Sequence, residues 1–452
     1  MLNSRMKNNP ALLWLALLLV SAGVCTGGER TPAGKAVGQL GTNAPSVKGD
    51  NTGANADTNV PAMKDDRGAA YDQMELLTEI MVHVRKYYVE EKSYKDITAG
   101  ALHGMLQSLD PHSDFLDEEG FKNIQDDTMG KFSGIGINIG VRDGLLTVIA
   151  PIEDTPAFRA GLQARDRILA INGEKTMSMT MNDAVKKLRG AKGTRVTITV
   201  MRQGEDEPRD VDIVRDDIEV PSVKGARILT GGIGYIRITQ FAVPTAAMVQ
   251  EALDKLLEQK MDALVLDLRR NPGGLLRSAI EISEKFLKKG DLIVTTRGRK
   301  GVTEPVENRA AGDKHYLDFP IVVLVDGGSA SAAEIVAGAL QDHKRAILIG
   351  ETTFGKGSVQ SVIQLKPESH AAIRLTTALY YTPSERQIND KGLEPDIPVH
   401  LSPQEWQKVQ MRRAQLENPN LFTDEEKKPY NDVVDPQLQR AMDILQAVKI
   451  FK

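Results

Sequence analysis

Leu77, Ile80, Met81, Val84, Tyr87 and Tyr88 recur at helical spacing, and Ile97, Ala101, Leu102, Met105 and Leu109 continue a second amphipathic stretch. Asp110-Pro-His-Ser113 interrupts that pattern and restarts it, with the proline near the start of a new turn. From Phe132 the period changes. Short apolar runs at 136–139, 145–149, 167–171 and 195–200, separated by turn residues, predict the strands of a small mixed domain. Beyond Val211 longer apolar runs at 234–238, 263–266 and 321–325 alternate with helical segments over 245–259 and after Gly274. That alternation predicts an α/β core with parallel crossovers. After Ser402 the chain is polar and helical, closing on a stripe of Leu438, Ala441, Met442 and Leu445. No internal repeat is evident.

The two ends of the pattern change the picture most. Arg5 and Lys7 precede an apolar run at 11–20 that is too short to span a bilayer and is followed by small residues, the layout of a secretory signal. A buried core helix does not fit a basic flank before the run and a polar linker after it. Residues 26–69 are Gly, Ala, Thr, Asn, Lys and Asp with almost no large apolar side chain, so they cannot bury enough surface to offset ordering entropy and read as a flexible tether. Cys25, the only cysteine, lies beside the signal, so the mature domains hold no disulfide. Ala22-Gly23-Val24-Cys25 approaches a lipoprotein cleavage box, with Val24 bulkier than the usual Gly or Ala. The expected setting is exported and periplasmic, with membrane association if Cys25 carries lipid. At 452 residues the chain is too long for one core, and a net charge of −4 from 57 basic and 61 acidic residues gives no electrostatic reason to expect nucleic acid as partner.

Candidate chemistry gathers where the 321–325 run ends. Asp326-Gly-Gly-Ser-Ala-Ser331-Ala-Ala-Glu-Ile335 offers glycines for a tight turn and a serine opening a helix, where the Ala332 amide faces a developing oxyanion. A lone serine at such a point is more often an N-cap, Ser329 and Ser331 alike. Serine needs a base, and none of the seven histidines sits in a nucleophile motif. The other established solution is a lysine desolvated until it accepts a proton near neutral pH. Lys356, in Thr353-Phe-Gly-Lys-Gly-Ser-Val-Gln360, is the lysine in a Gly-rich, otherwise uncharged setting; if it fails, the search returns to the histidines, beginning with His343.

These residues resemble the carboxy-terminal processing (tail-specific) proteases. Ser329-Ala-Ser331-Ala with Glu334-Ile335, then Gln341-Asp342, then Thr353 to Gln360 match the family's S-A-S-A-x-E-I, Q-D and T-x-F-G-K-G-x-V-Q, and the spacing agrees. The resemblance implies Ser331 as nucleophile, Lys356 as base and Gln360 as the residue orienting the lysine. Leu266-Asp-Leu-Arg-Arg-Asn-Pro-Gly-Gly274 resembles the loop that supplies the second oxyanion amide, Gly273 being the first choice and Gly274 the second, although Asn-Pro-Gly-Gly by itself is a common turn. Leu379 to Arg386 and Lys391 to Asp396 resemble the family's closing segment, with Glu385 where a glycine is usual.

The stretch from Phe132 resembles a PDZ domain. Ser133-Gly134-Ile135-Gly136-Ile137 is similar to the loop whose amides hold a peptide's terminal carboxylate while the peptide adds a strand. Residues 155–161 and 166–173 match further landmarks, with Arg165 replacing the usual Gly before Asp166. The expected organisation is a signal peptide (1–25), tether (26–69), N-terminal helical region (70–131), PDZ domain (132–210), α/β protease core (211–401) and helical tail (402–452), a multidomain α+β and α/β chain. The resemblance implies a serine endopeptidase that takes proteins or peptides by apolar C-terminal tails, without metal or cofactor. An adaptor or activating lipoprotein is a partner it admits, as is a homodimer or higher oligomer through the N-terminal helices. The rival reading, a catalytically silent peptide-binding scaffold, is favoured by loss of Ser or Lys, and both are present.

Overall fold

The computed structural model describes residues 67–450 apart from 143, 153–154, 164, 180, 203–204, 366–369 and 420–421. The expected signal, Cys25 and the tether down to residue 66 lie outside this set. The first helix, Arg67–Tyr87, takes in the last residues assigned to the tether. A second helix, Tyr94–Gln107, starts at a reciprocal cap in which the Ser93 hydroxyl accepts from the Asp96 amide and Asp96 binds back. The Asp110–Ser113 break then leads into a short strand, Asp114–Leu116, and a helix, Glu118–Met129, which Gly130 ends in the left-handed conformation at φ +66°.

Strands Lys131–Gly134 and Asp216–Glu219 pair antiparallel and bracket the small domain like two strands of a stalk. Between them, Ile137–Arg142, Leu145–Pro151, Arg167–Ile171, Arg195–Met201 and Arg209–Val214 follow one another in a single sheet. Alternate side chains of these strands, Val148, Ile168, Val196, Ile198, Val200 and Ile213 among them, fill its core with Ala184 and Leu188 from the helix Met181–Leu188. The strand Arg209–Val214 completes this sheet, so the domain runs past the expected boundary at 210; its mostly exposed, charged side chains hide the pattern. Arg165 adopts φ +75° and Glu385 φ +64°, a left-handed backbone that suits glycine, the residue that the resemblance implies at both positions.

The core holds a sheet in the order Val223–Leu229, Ile233–Ile238, Ala263–Asp267, Ile321–Val325, Ala346–Gly350, Ile397–Pro398, parallel except for its first pair. Both faces are buried, which is why its strands read as unbroken apolar runs. Ile236, Leu264, Leu266 and Val323 pack beneath the helices Thr245–Glu258, Leu276–Ser283 and Ala332–Asp342. Tyr235, Val265, Val322 and Leu324 face the tail helix Pro436–Ile450 through Ala441 and Leu445. A second sheet is built on the ten-residue strand Ala372–Tyr381. Ser358–Gln364 runs along one side of it, and Asp114–Leu116 and Leu292–Arg297 pair with its two ends, so the N-terminal region is joined directly to the core.

Candidate active site

Ser331 sits where the strand Ile321–Val325 turns into the helix Ala332–Asp342, at φ +54° and ψ −114°. This strained backbone, costing on the order of 1–3 kcal/mol, presents the Ser331 side chain on a sharp strand-to-helix elbow. Ser329 is wholly buried, donates to the Leu268 carbonyl (2.8 Å) and accepts from the Asp326 amide (3.0 Å), which makes it a turn residue. Ala332 opens the helix, so its N–H has no intrahelical acceptor.

What holds the elbow is Glu334, also wholly buried. One carboxylate oxygen accepts the Ser331 amide at 2.8 Å and the Lys356 amide at 2.9 Å; the other accepts the Gly355 amide at 2.8 Å and the Thr353 hydroxyl. Two loops distant in sequence are thereby fixed on one side chain, and the Phe354 amide adds a bond to the Ser329 carbonyl at 3.0 Å. Burial raises the Glu334 pKa, opposed by the hydroxyl and amides that favour its charged form. The sequence carries the signal for this residue, Ser followed three positions later by Glu at a helix start.

Lys356 is half-buried, and burial first and the Arg374 guanidinium second lower its pKa. Gln360 donates to Ser358 Oγ (2.9 Å) and Thr376 Oγ1 (3.3 Å); among the described residues no hydrogen bond joins it to Lys356. Tyr380 is buried beside Ser331: its phenol is pushed up to about 12 by burial, with a hydrogen bond from Ser331 acting in the other direction. Arg374 and Thr376 share one face of their strand, while a bulge between Thr376 and Ala378 turns Tyr380 to the other, the face of Val359. His343 lies at the far end of the 11-residue helix that Ser331 begins, roughly 18 Å away, bound to the Leu292 carbonyl at 2.7 Å, and is no candidate base. The histidine that faces Lys356 is His112, whose pKa burial and then the lysine's charge push down.

The Asn271 to Gly274 loop closes the other side. A Cβ built on Gly273, at φ +98°, would stand 2.7 Å from Ser331 Cβ and 2.9 Å from the Ala332 nitrogen, so only glycine lets this loop lie against the elbow. Here the Gly273 amide donates to Asn271 Oδ1 at 2.9 Å, while the Gly274 amide has no acceptor among the described residues. The loop is rooted in Arg269, wholly buried, whose guanidinium meets Asp267 (2.7 Å), Asp435 (2.8 Å) and Gln437 (2.9 Å) and faces the Trp406 ring at 5.2 Å. Asp267 is held below the usual carboxylate range by the Arg269 charge, against its burial.

In the small domain, Ile135 is buried and its carbonyl accepts the Ala157 amide at 2.8 Å, while Gly136, at φ +79°, lies so close to Thr155 that a Cβ would sit 2.3 Å from Thr155 Cβ. Gly134 ends the stalk strand, and Ile137 begins an edge strand of the sheet, Ile137–Arg142.

Residues 232–399 match the model of peptidase family S41, and residues 147–202 match a PDZ domain. The chain is 46% identical over 333 residues to a carboxy-terminal-processing protease of Bartonella bacilliformis, covering 73% of this chain and 75% of that one. It is 36% identical over 326 residues to the carboxy-terminal processing protease CtpA of Bacillus subtilis, covering 72% and 68%. A solved structure described as a putative S41 protease from Bacteroides fragilis shares the fold at a TM-score of 0.50 and 16% identity, over 76% of this chain and 90% of that one.

Proposed function

Because the chain belongs to the carboxy-terminal processing proteases, serine peptidases of family S41 with a PDZ domain, we propose that Ser331 and Lys356 are its nucleophile and base and that the PDZ domain selects substrates by apolar C-terminal tails. The observation that carries this reading is the single Glu334 oxygen shared by the Ser331 and Lys356 amides, since it brings the two candidate groups onto adjoining backbone.

In this reading neutral Lys356 takes the Ser331 proton as Oγ attacks the scissile carbonyl. The Ala332 amide and an amide of the Gly273-Gly274 loop stabilise the oxyanion; Gly274 offers its N–H directly, and Gly273 only after leaving Asn271. The lysine returns the proton to the leaving amine, and water activated by the same lysine releases the acyl group. Gln360, bound to Ser358 and Thr376, orients the base by steadying the strand next to it. The Gly134 to Ile137 loop and the edge strand after it receive the tail.

Two further assignments support a setting for this activity. Leu76, Ile80 and Tyr87 are at least half exposed along one side of the first helix, an apolar face that a second copy would cover, consistent with dimerisation through the N-terminal region. The basic flank and apolar run at 11–20 support export to the periplasm, and no helix among the described residues is long and apolar enough to cross a membrane. An adaptor lipoprotein is a partner to be sought by co-purification.

The test is digestion of an unfolded protein bearing an apolar C-terminal tail. Ser331→Ala and Lys356→Ala are expected to abolish turnover with tail binding intact, and Lys356→Arg to fail as well, since a guanidinium does not deprotonate at accessible pH. Full activity in Lys356→Arg refutes the base assignment. Equal cleavage of free-acid and amidated tails refutes tail reading.

A further inference from the structure

On the face of the core sheet turned away from the helix Ala332–Asp342, the tail encloses a second charged site. The helix Pro403–Glu417 starts at a reciprocal cap between Ser402 and Glu405. Val409, Arg412, Arg413 and Leu416 recur along it at i, i+3, i+4 and i+7, so two apolar and two cationic side chains share one face. That face meets Arg227 and Tyr235 from the strands Val223–Leu229 and Ile233–Ile238, and the chain from Val433 to Leu438 closes a cavity of about 120 Å³ over them.

The carboxylates around this cavity are already committed elsewhere. Asp267 accepts Arg269 Nε at 3.0 Å, Arg269 Nη2 at 2.7 Å and the Tyr235 hydroxyl at 2.7 Å. Asp435 accepts Arg269 at 2.8 and 3.1 Å and the amides of Gln437 and Leu438 at 3.1 Å each. Glu417 is taken by Arg237, whose Nε lies 2.7 Å from it. Three guanidinium groups are left over. Arg227 donates to the Gly225 carbonyl at 2.9 Å and lies over the Tyr235 ring at 4.4 Å, and Arg412 donates to Asn431 Oδ1 at 3.1 Å; neither makes an ion pair among the described residues. Arg413 faces the Trp406 ring at 5.3 Å, and its approach to Asp267, 3.7 Å, is too long for a hydrogen bond. Its Nη1 is enclosed without any acceptor, and its other nitrogens donate to none among the described residues. Three permanent cations that repel one another around one small cavity favour an anion between them.

We propose that this cavity is a binding site for a small organic carboxylate with a short apolar tail, its two oxygens held among Arg227, Arg412 and Arg413 and its tail against Val409, Leu416 and Leu438. The forked guanidinium matches the two oxygens of a carboxylate, while the apolar wall offers no donor to the further oxygens of a phosphate. The volume equals that of about four waters, room for a molecule of about six heavy atoms. Tyr235 and Asp435 line the cavity and also bond the Asp267–Arg269 pair, so an occupant ties the sheet, the helix Pro403–Glu417 and the start of the helix Pro436–Ile450 together. The site stands whether or not Ser331 and Lys356 act as nucleophile and base.

Isothermal titration calorimetry of the full-length protein with sodium butyrate, at an ionic strength held constant with sodium chloride, tests it. Butyrate is expected to bind one to one with half-saturation on the order of 1 mM, and the thermal unfolding midpoint to rise with the same concentration dependence. Acetate, two methylenes shorter, binds at least about tenfold more weakly, and inorganic phosphate no better than acetate. Arg412→Gln, on a half-buried side chain, weakens butyrate about tenfold while the unliganded midpoint stays close to the parent's, and Arg413→Gln weakens it at least as much. If Arg413→Gln does not fold, Arg412→Gln and Arg227→Gln decide. The absence of saturable heat, an equal midpoint rise with sodium chloride alone, phosphate binding as tightly as butyrate, or an Arg412→Gln protein that titrates like the parent each overturns the proposal.

Discussion

Glu334→Gln replaces one acceptor oxygen by a donor while keeping shape, and the cost is set by the four bonds of this side chain. With the amide oxygen placed on the Ser331 and Lys356 nitrogens, those two bonds survive but lose charge assistance, about 1 kcal/mol each. The NH2 group then faces the Gly355 amide, donor against donor, and leaves a buried N–H unsatisfied at about 1–3 kcal/mol, while the Thr353 hydroxyl turns to accept. Relief of the buried charge, whose burial raises the Glu334 pKa, returns part of this, so the net loss is about 2–4 kcal/mol. Urea unfolding at pH 7 reads the stability change from the midpoint at constant m. Because both catalytic loops relax together, kcat is expected to fall on the order of a hundredfold, more than the stability change alone produces in a protein still folded at the assay temperature. A stability change under about 0.5 kcal/mol with unaltered kcat would refute the view that one carboxylate holds nucleophile and base in place.

Tyr380→Phe removes the phenol that meets Ser331 while preserving the packing; kcat is expected to fall about tenfold at unchanged KM, read in the same cleavage assay. Gly273→Ala places a methyl 2.7 Å from Ser331 Cβ at a φ of +98°, so turnover should drop by at least about a hundredfold while tail binding, followed by fluorescence anisotropy, is preserved. Asp127, in the helix Glu118–Met129, has its pKa raised to about 6 by burial. A raised folded value means that this group's contribution to stability is present below pH about 4 and lost as pH rises through about 6, so Asp127→Asn should flatten the fall in urea midpoint across that window and be the more stable protein at pH 7.

The strands at 234–238, 263–266 and 321–325 are legible in the sequence because a parallel sheet covered on both faces needs an unbroken apolar run. The strand Arg209–Val214 is not, since its exposed charged side chains obscure the alternation. Ser331 and Lys356 stand out because glycine-rich turns surround them. Glu334 carries a helix-start signature, yet that signature describes a local cap, whereas here the carboxylate also reaches the Gly355 and Lys356 amides, more than twenty residues on. Tyr380 lies on a strand whose bulge between Thr376 and Ala378 breaks the alternation, so the sequence pattern does not say which side chains face Ser331. His112 is beyond sequence reasoning for a related reason: its approach to Lys356 depends on pairing between residues 114–116 and 372–374, a contact set by tertiary packing. Arg165 and Glu385 depart from the family's glycines and still take the glycine backbone, so the turn survives at a conformational cost.

Arg269, at the root of the loop beside Ser331, meets Asp435 and Gln437 at the start of the helix Pro436–Ile450. A segment synthesised after the whole core therefore completes the neutralisation of a guanidinium that the core has already enclosed. Until it docks, Arg269 has only Asp267 as a carboxylate partner, and the loop lacks its anchor. A carboxy-terminal processing protease thus depends on a segment lying beyond its own catalytic core: a nascent or trimmed copy lacking residues 435–450 would miss both this anchor and the cover of one sheet face at Tyr235, Val265, Val322 and Leu324, its activity arriving only once that helix has been made and seated.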